Sequence, residues 1–278
     1  MTERADTEAH RATPASGLLV GAIAGLLSGL FGVGGGIIIV PGLMALAGME
    51  RRLAHGTSLA ATFPIALASA LTFAASGKVD WPIVAALAIG SIVGAIAGTQ
   101  LLQIINKRAL VIIFVTTILL TAVRLVLTGE TTSRGDLTVS MFAALVGIGL
   151  LAGTLAGLLG IGGGVVMVPA MVVLFSIDPV TAKGTSVAVI VPTSIVGTLR
   201  NRKKANADIP IAAAVGAAGV VFAVIGSLIS KSLSDTVANT MFAVLLVIVA
   251  LLQIRTLFQP ERTPDATLAP ESTDDGES

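Results

Sequence analysis

The 278-residue sequence has no cysteine, no tyrosine and a single tryptophan, Trp81. Without cysteine there is no disulfide framework, no thiolate metal site and no cysteine nucleophile. With so few interfacial aromatics, the belt that usually marks a membrane–water boundary is thin. Charge is scarce as well: 12% of residues are charged, against about 25% in soluble domains. The net charge of +1 argues for neither a nucleic-acid partner nor a polybasic lipid anchor. What fills the chain is apolar, at 54% hydrophobic residues and a mean hydropathy of +0.96. The apolar residues fall in runs of about 18 or more, the length of a membrane span. A large soluble protein with buried helices is the rival reading, and the recurrence of such runs argues against it. The chain therefore reads as an integral protein of the lipid bilayer.

A repeat organises it. Residues 25–44, GLLSGLFGVGGGIIIVPGLM, match residues 153–172, GTLAGLLGIGGGVVMVPAMV, at an offset of 128. The offset holds without a gap for a further stretch. His55-Gly56-Thr57-Ser58 falls on Lys183-Gly184-Thr185-Ser186, Pro64 on Pro192, Asp80 on Asp208, and Pro82 on Pro210. Hydrophobic bias alone does not generate matched Gly, Pro and Asp. Each half holds four apolar segments, at 17–48, 56–76, 81–104 and 108–127, then at 142–176, 184–199, 209–230 and 236–257. Asp80 and Asp208 each precede a proline by two residues, which predicts a helix N-cap followed by Pro in the first turn. The expected division is a polar N-terminal tail (1–16), repeat 1 (17–130), repeat 2 (131–258) and a disordered, acidic, Pro-rich C-terminal tail (259–278). A signal peptide is the rival reading of the N-terminus; the internal twin of the first apolar run favours a retained structural element.

Glycine clusters interrupt the first segment of each half, at Gly32, Gly34, Gly35 and Gly36 and at Gly160, Gly162, Gly163 and Gly164. A glycine inside a helix costs about 1 kcal/mol relative to Ala, so these clusters should open it. The flanking pieces are expected to run about 13 to 15 residues, roughly 20 Å each, too short for a hydrocarbon core of about 30 Å. Each segment is then a broken spanning helix or a re-entrant hairpin. With re-entrant hairpins and a cytoplasmic N-terminus, 12 Lys and Arg fall inside and five outside, Lys183 among the five. Spanning segments give 11 against six. The positive-inside rule favours the first. The expected fold is all-α and polytopic, with two inverted repeats, each a Gly-broken hairpin plus three spanning helices.

Bare backbone at membrane depth is tolerated only where protein buries it or where it lines a cavity. Two matched breaks point to a binding site at the repeat interface. Opened helix starts present free N–H groups and a positive dipole end, which suit an anion. The apolar segments contain no Asp or Glu, which weakens a carboxylate relay for protons or cations. The candidate solute-binding residues are the eight break glycines and the hydroxyls of Thr57, Ser58, Thr185 and Ser186, with His55 and Lys183 as mouth charges. Each has a plainer reading: close helix packing for the glycines, N-capping for the hydroxyls, and interfacial loop charges for His55 and Lys183. Pro64 and Pro192 should kink the second segments. Phosphate-loop and intramembrane-protease readings lack their partner residues. There is no ATP-binding motif, so the chain is not expected to hydrolyse ATP; no enzyme activity, cofactor or metal is expected.

The paired pattern, 25–41 followed by His55-Gly56-Thr57-Ser58, then 157–169 followed by Lys183 to Ser186, resembles the sulfite exporter TauE/SafE family of membrane transporters. The resemblance covers about residues 17–258. It implies a bacterial-type cytoplasmic-membrane permease for sulfite, sulfoacetate, thiosulfate or a related sulfur-containing anion. A related thiosulfate transporter group uses cysteines in its pathway, and this chain has none. The expected function is secondary transport of a small anionic solute bound between the breaks. A passive anion channel or a membrane scaffold is the alternative. Homo-oligomerisation stays open.

Overall fold

A computed structural model of the chain describes residues 14–101, 138–159, 162–203 and 207–258, together with 115, 116, 119 and 123. Both tails beyond these limits, most of the segment expected at 108–127, and Gly160 lie outside the described residues. Every regular element among the described residues is an α-helix. In chain order they are α1 (Pro14–Phe31), α2 (Gly36–Leu46), α3 (Arg51–Ala74), α4 (Trp81–Leu101), α5 (Val139–Leu159), α6 (Gly164–Phe175), α7 (Pro179–Lys203), α8 (Ile209–Ser232) and α9 (Asp235–Phe258). Four are long and apolar enough to cross a membrane: Arg52–Ala74 in α3, Val139–Gly157 in α5, Pro179–Arg200 in α7 and Ile209–Ser232 in α8.

Local chemistry sets the boundaries. Ile83 N–H donates to Asp80 Oδ1 at 3.2 Å and Ile211 N–H to Asp208 Oδ1 at 3.1 Å, so both aspartates cap their helices as their spacing before proline predicts. A third cap was not read from the sequence. Asp178 accepts from the N–H and the hydroxyl of Thr181, both at 2.9 Å, with Pro179 in the favoured first position. That cap starts α7 at 179 rather than 184 and draws Lys183 into the helix.

The glycine-broken segments also differ from expectation. Their first arms are longer than 13 to 15 residues: α1 has 18 and α5 has 21, about 27 and 32 Å. In α5 the extension starts at a Thr138 cap, whose hydroxyl accepts Met141 N–H at 3.3 Å. The first arm of the second half is thus long enough to span, contrary to the estimate. The second arms, α2 and α6, have 11 and 12 residues, about half that depth.

Glycine-lined contacts fix the helix directions. Along α1 and α8, Gly21 meets Val215, Gly25 meets Gly219, and Gly29 meets Ala223 and Ser227. Along α5 and α4, Gly149 meets Leu87, Gly153 meets Ser91, and Gly157 meets Ala95. The two sets correspond at the repeat offset of 128, since 21, 25 and 29 fall on 149, 153 and 157 while 87, 91 and 95 fall on 215, 219 and 223, and both pairs run parallel. At Gly21, Gly25, Gly29, Gly149 and Gly153 a Cβ would enter the neighbour's backbone, the close approach that small residues permit in membrane helices.

Further contacts extend the frame. α3 lies parallel to α8, with Thr57 at Asp208, Pro64 at Gly216 and Lys231 at Thr72. α7 lies parallel to α4, with Thr185 at Asp80, Thr193 at Ser91 and Arg200 at Ile96. α3 and α7 are antiparallel, since Leu59 meets Gly197 and Phe73 meets Gly184. So α1, α3 and α8 run one way, and α4, α5 and α7 the other.

Overpacking a tight contact costs about 1–3 kcal/mol. Gly25→Leu and Gly153→Leu should each lower the thermal unfolding temperature of detergent-purified protein, whereas Gly147→Ala, with nothing near its Cβ position, should leave it unchanged. Equal stability of all three variants would contradict the packing.

Candidate functional site

Each long arm turns back on its short arm through the glycines. A Cβ on Gly35 would lie 3.1 Å from Ala24 O, and one on Gly42 2.9 Å from Val20 Cγ2. In the second half, a Cβ on Gly163 would lie 3.0 Å from Ala152 O. The turns need left-handed backbone. Gly32, Gly34 and Gly35 have φ of 71°, 79° and 74°, and Gly162 and Gly163 have 86° and 65°, a region that disfavours side-chain-bearing residues. Gly36 and Gly164 open the short helices α2 and α6.

The ladders stop and restart at these points. Gly32 N–H closes α1 on Ser28 O at 2.8 Å. Ile38 and Ile39 then open α2 on Gly35 O, and Val166 and Met167 open α6 on Gly163 O. Neither N-cap glycine supplies a side-chain cap. The amides ahead of those bonds lie outside the intrahelical ladder and mark the positive end of each short helix.

The two breaks touch. A Cβ on Gly164 would lie 2.6 Å from Gly32 O and 2.9 Å from Val33 Cα, and one on Gly162 would lie 3.3 Å from Val33 O. Two helix faces line this contact. On α7, Lys183 packs its backbone against Gly32, Ser186 Oγ lies 2.9 Å from the Cβ position of Gly164, and Ile190 lies against Gly34. Positions 183, 186 and 190 share one helical face. On α3, Thr62 Cγ2 lies 3.6 Å from the Cβ position of Gly34 and 3.9 Å from that of Gly162. The hydroxyls of Thr62 and Ser186 are buried and make no hydrogen bond among the described residues. Ser58, one turn before Thr62, is also buried.

The sequence-derived candidates therefore divide. The break glycines, apart from Gly160 outside the described residues, come together with Ser186. Thr57 and Thr185 do something else. Thr57 Oγ1 accepts the N–H of Asp208 at 2.9 Å, and Thr185 Oγ1 accepts the N–H of Asp80 at 3.0 Å. They secure the start of a helix in the other half, not of their own helix as simple N-capping would have it. His55 is half-buried in the first turns of α3. Lys183 is not a loop charge. It sits inside α7 at 1% exposure, with Nζ 5.9 Å from the centroid of the Phe242 ring. Phe242 in turn stacks on Phe31, the last residue before the first break, at 5.7 Å.

Thr62 was missed from the sequence. Its signal was present, four residues after Ser58 and so on the same helical face. Among the described residues no cluster of three or more His, Cys, Asp or Glu could hold a metal ion.

These apolar helices, with backbone opened and buried twice, define an α-helical membrane protein. The profile of the sulfite exporter TauE/SafE family matches residues 2–125 and 145–273, and the chain belongs to this family of membrane transporters. It is 31% identical over 206 residues to the probable membrane transporter protein YunE of Bacillus subtilis (strain 168), covering 66% of this chain and 76% of that one. It is 26% identical over 238 residues to a probable membrane transporter protein of Xylella fastidiosa (strain 9a5c), covering 83% and 91%. It is 29% identical over 189 residues to the probable membrane transporter protein MJ0441 of Methanocaldococcus jannaschii, covering 66% and 70%. No solved structure matches the chain significantly.

Thr57→Val and Thr185→Val each remove one hydrogen bond to a half-buried helix start. Each should cost about 1 kcal/mol in denaturant unfolding, and the two costs should add in the double variant because the sites share no partner. A silent double variant would contradict the cross-links.

Proposed function

We propose that the chain is a secondary transporter of a small sulfur-containing anion, such as sulfite, sulfoacetate or thiosulfate, working as a multi-pass protein of the cytoplasmic membrane. On this reading it comprises two copies of one unit in opposite orientation, each a re-entrant hairpin with three spanning helices. The opposed directions of α1, α3 and α8 against α5, α7 and α4 support that arrangement, as do the contacts that repeat at an offset of 128. So does the folding back of each short arm along its long arm, with Gly42 at Val20 and Gly163 at Ala152.

The observation that carries the function is the contact between the two breaks. Opened backbone and the buried Ser186 hydroxyl meet there, deep in an apolar protein, and the nearby helix starts favour negative charge. In this conformation the backbones of Gly32 and Gly164 leave no room between them. A solute enters only when the breaks part, which suits rocking of one half against the other. A scaffold needs no paired breaks, and a passive channel needs no closed contact between them.

Purified protein in liposomes is expected to accumulate one of these anions against its gradient when a coupling gradient is imposed. Gly35→Leu and Gly163→Leu should abolish that uptake while membrane insertion persists. Flux that only dissipates a gradient would make the protein a channel. Absence of flux for every sulfur anion, or full activity in both variants, would overturn the reading.

A further inference from the structure

We propose that Lys183 and Ser186 form the anion-recognition pair of this site, with the Lys183 ammonium as the group that makes it select a charged solute over an uncharged one of the same shape. The proposal rests on the transporter reading above and deepens it, because glycine backbone alone offers dipoles and no full charge.

Three observations converge. First, Lys183 is the one fully buried charged residue among those whose side chains are described. Lysine is almost never fully buried, and a cation taken from water carries a large desolvation penalty. Second, α7 is placed so that one face spans both breaks: the backbone and Cβ of Lys183 against Gly32, Ser186 Oγ against Gly164, Ile190 against Gly34. An anion entering where the breaks part meets this face whichever side it comes from. Third, the Ser186 hydroxyl is fully buried, makes no hydrogen bond among the described residues, and lies beside the first residue of α6. An oxyanion would accept from it and from the ammonium together, beside the positive end of α6.

The second copy does not duplicate this set. Its positions equivalent to 183, 186 and 190 are His55, Ser58 and Thr62, and His55 is only half-buried. Full charge is supplied from one side, while on the other Thr62 lies with its methyl against Gly34 and Gly162. Such a site holds an oxyanion in one preferred orientation. Phe242, under the Lys183 ammonium and stacked on Phe31, ties the position of that charge to the end of α1, so that movement of the first hairpin shifts the charge as well.

The test is binding by full-length protein in detergent, with sulfite and sulfoacetate as anionic probes and dimethyl sulfone as the uncharged one, read by calorimetry beside the apo unfolding temperature. Wild type should bind an anion and not the sulfone. Lys183→Gln should weaken anion binding about 10- to 100-fold, the loss expected for a charged hydrogen bond. Lys183→Arg should restore most of it, a rescue that a merely structural role for the side chain does not predict. Ser186→Ala should weaken binding less, and it decides the matter if Lys183→Gln gives no monodisperse protein: unchanged affinity there would overturn the pair. Wild-type affinity in Lys183→Gln would overturn the proposal while leaving the transporter reading intact. A wild type that binds none of the anions and shows no liposome flux would overturn the reading beneath it.

Discussion

The structure depends on one contact, between two stretches of backbone that glycine has opened inside an apolar protein. Amide and carbonyl groups taken out of a helix at lipid depth must be buried or must face a cavity. Here each break covers the other, with Gly164 against the carbonyl of Gly32 and Gly162 against that of Val33. Neither contact tolerates an ordinary side chain, and five of the glycines hold left-handed backbone. The rest of the fold supports this meeting. Two parallel, glycine-lined helix pairs, α1 with α8 and α4 with α5, carry the hairpins. Two threonine hydroxyls, Thr57 and Thr185, pin the helices that start beside them to the opposite half.

Hairpins that each return to their own side meet tip to tip only if they enter from opposite sides. That geometric condition, together with the helix directions, is why we read the two copies as inverted. The equivalence is not complete, and its failures lie at the tips. Thr62 stands where the other copy has Ile190, and His55 where it has Lys183. The framework contacts keep the repeat while the lining departs from it. This is the pattern expected if the framework serves the motion and the lining serves an asymmetric solute.

Much of this was legible in the sequence, for local reasons. The helix caps at Asp80 and Asp208 follow from an aspartate two residues before a proline, and the helix openings from clustered glycine. Burial and long-range partnership were not legible. Lys183 reads as an interfacial charge because hydropathy places a lysine at the end of an apolar run. Only the Asp178 cap, which starts α7 early, and the packing of Lys183 against Gly32 take it inside. Thr57 and Thr185 read as caps of their own helices, since nothing local names acceptor or donor groups 151 and 105 residues away. The first arms of the hairpins were underestimated because Thr138 and Pro14 are polar or helix-breaking in composition yet start helices in position.

The central claim is that the two hairpins enter from opposite faces, and the absence of native cysteine allows a direct measurement. Glu50, just after the first hairpin, and Ser176, just after the second, are each replaced singly by cysteine and labelled in cells with a membrane-impermeant maleimide. With the N-terminus cytoplasmic, the cysteine at 176 should react in intact cells and the one at 50 only after permeabilisation. Labelling of both from the same face would contradict the opposed entry on which the meeting of the breaks depends.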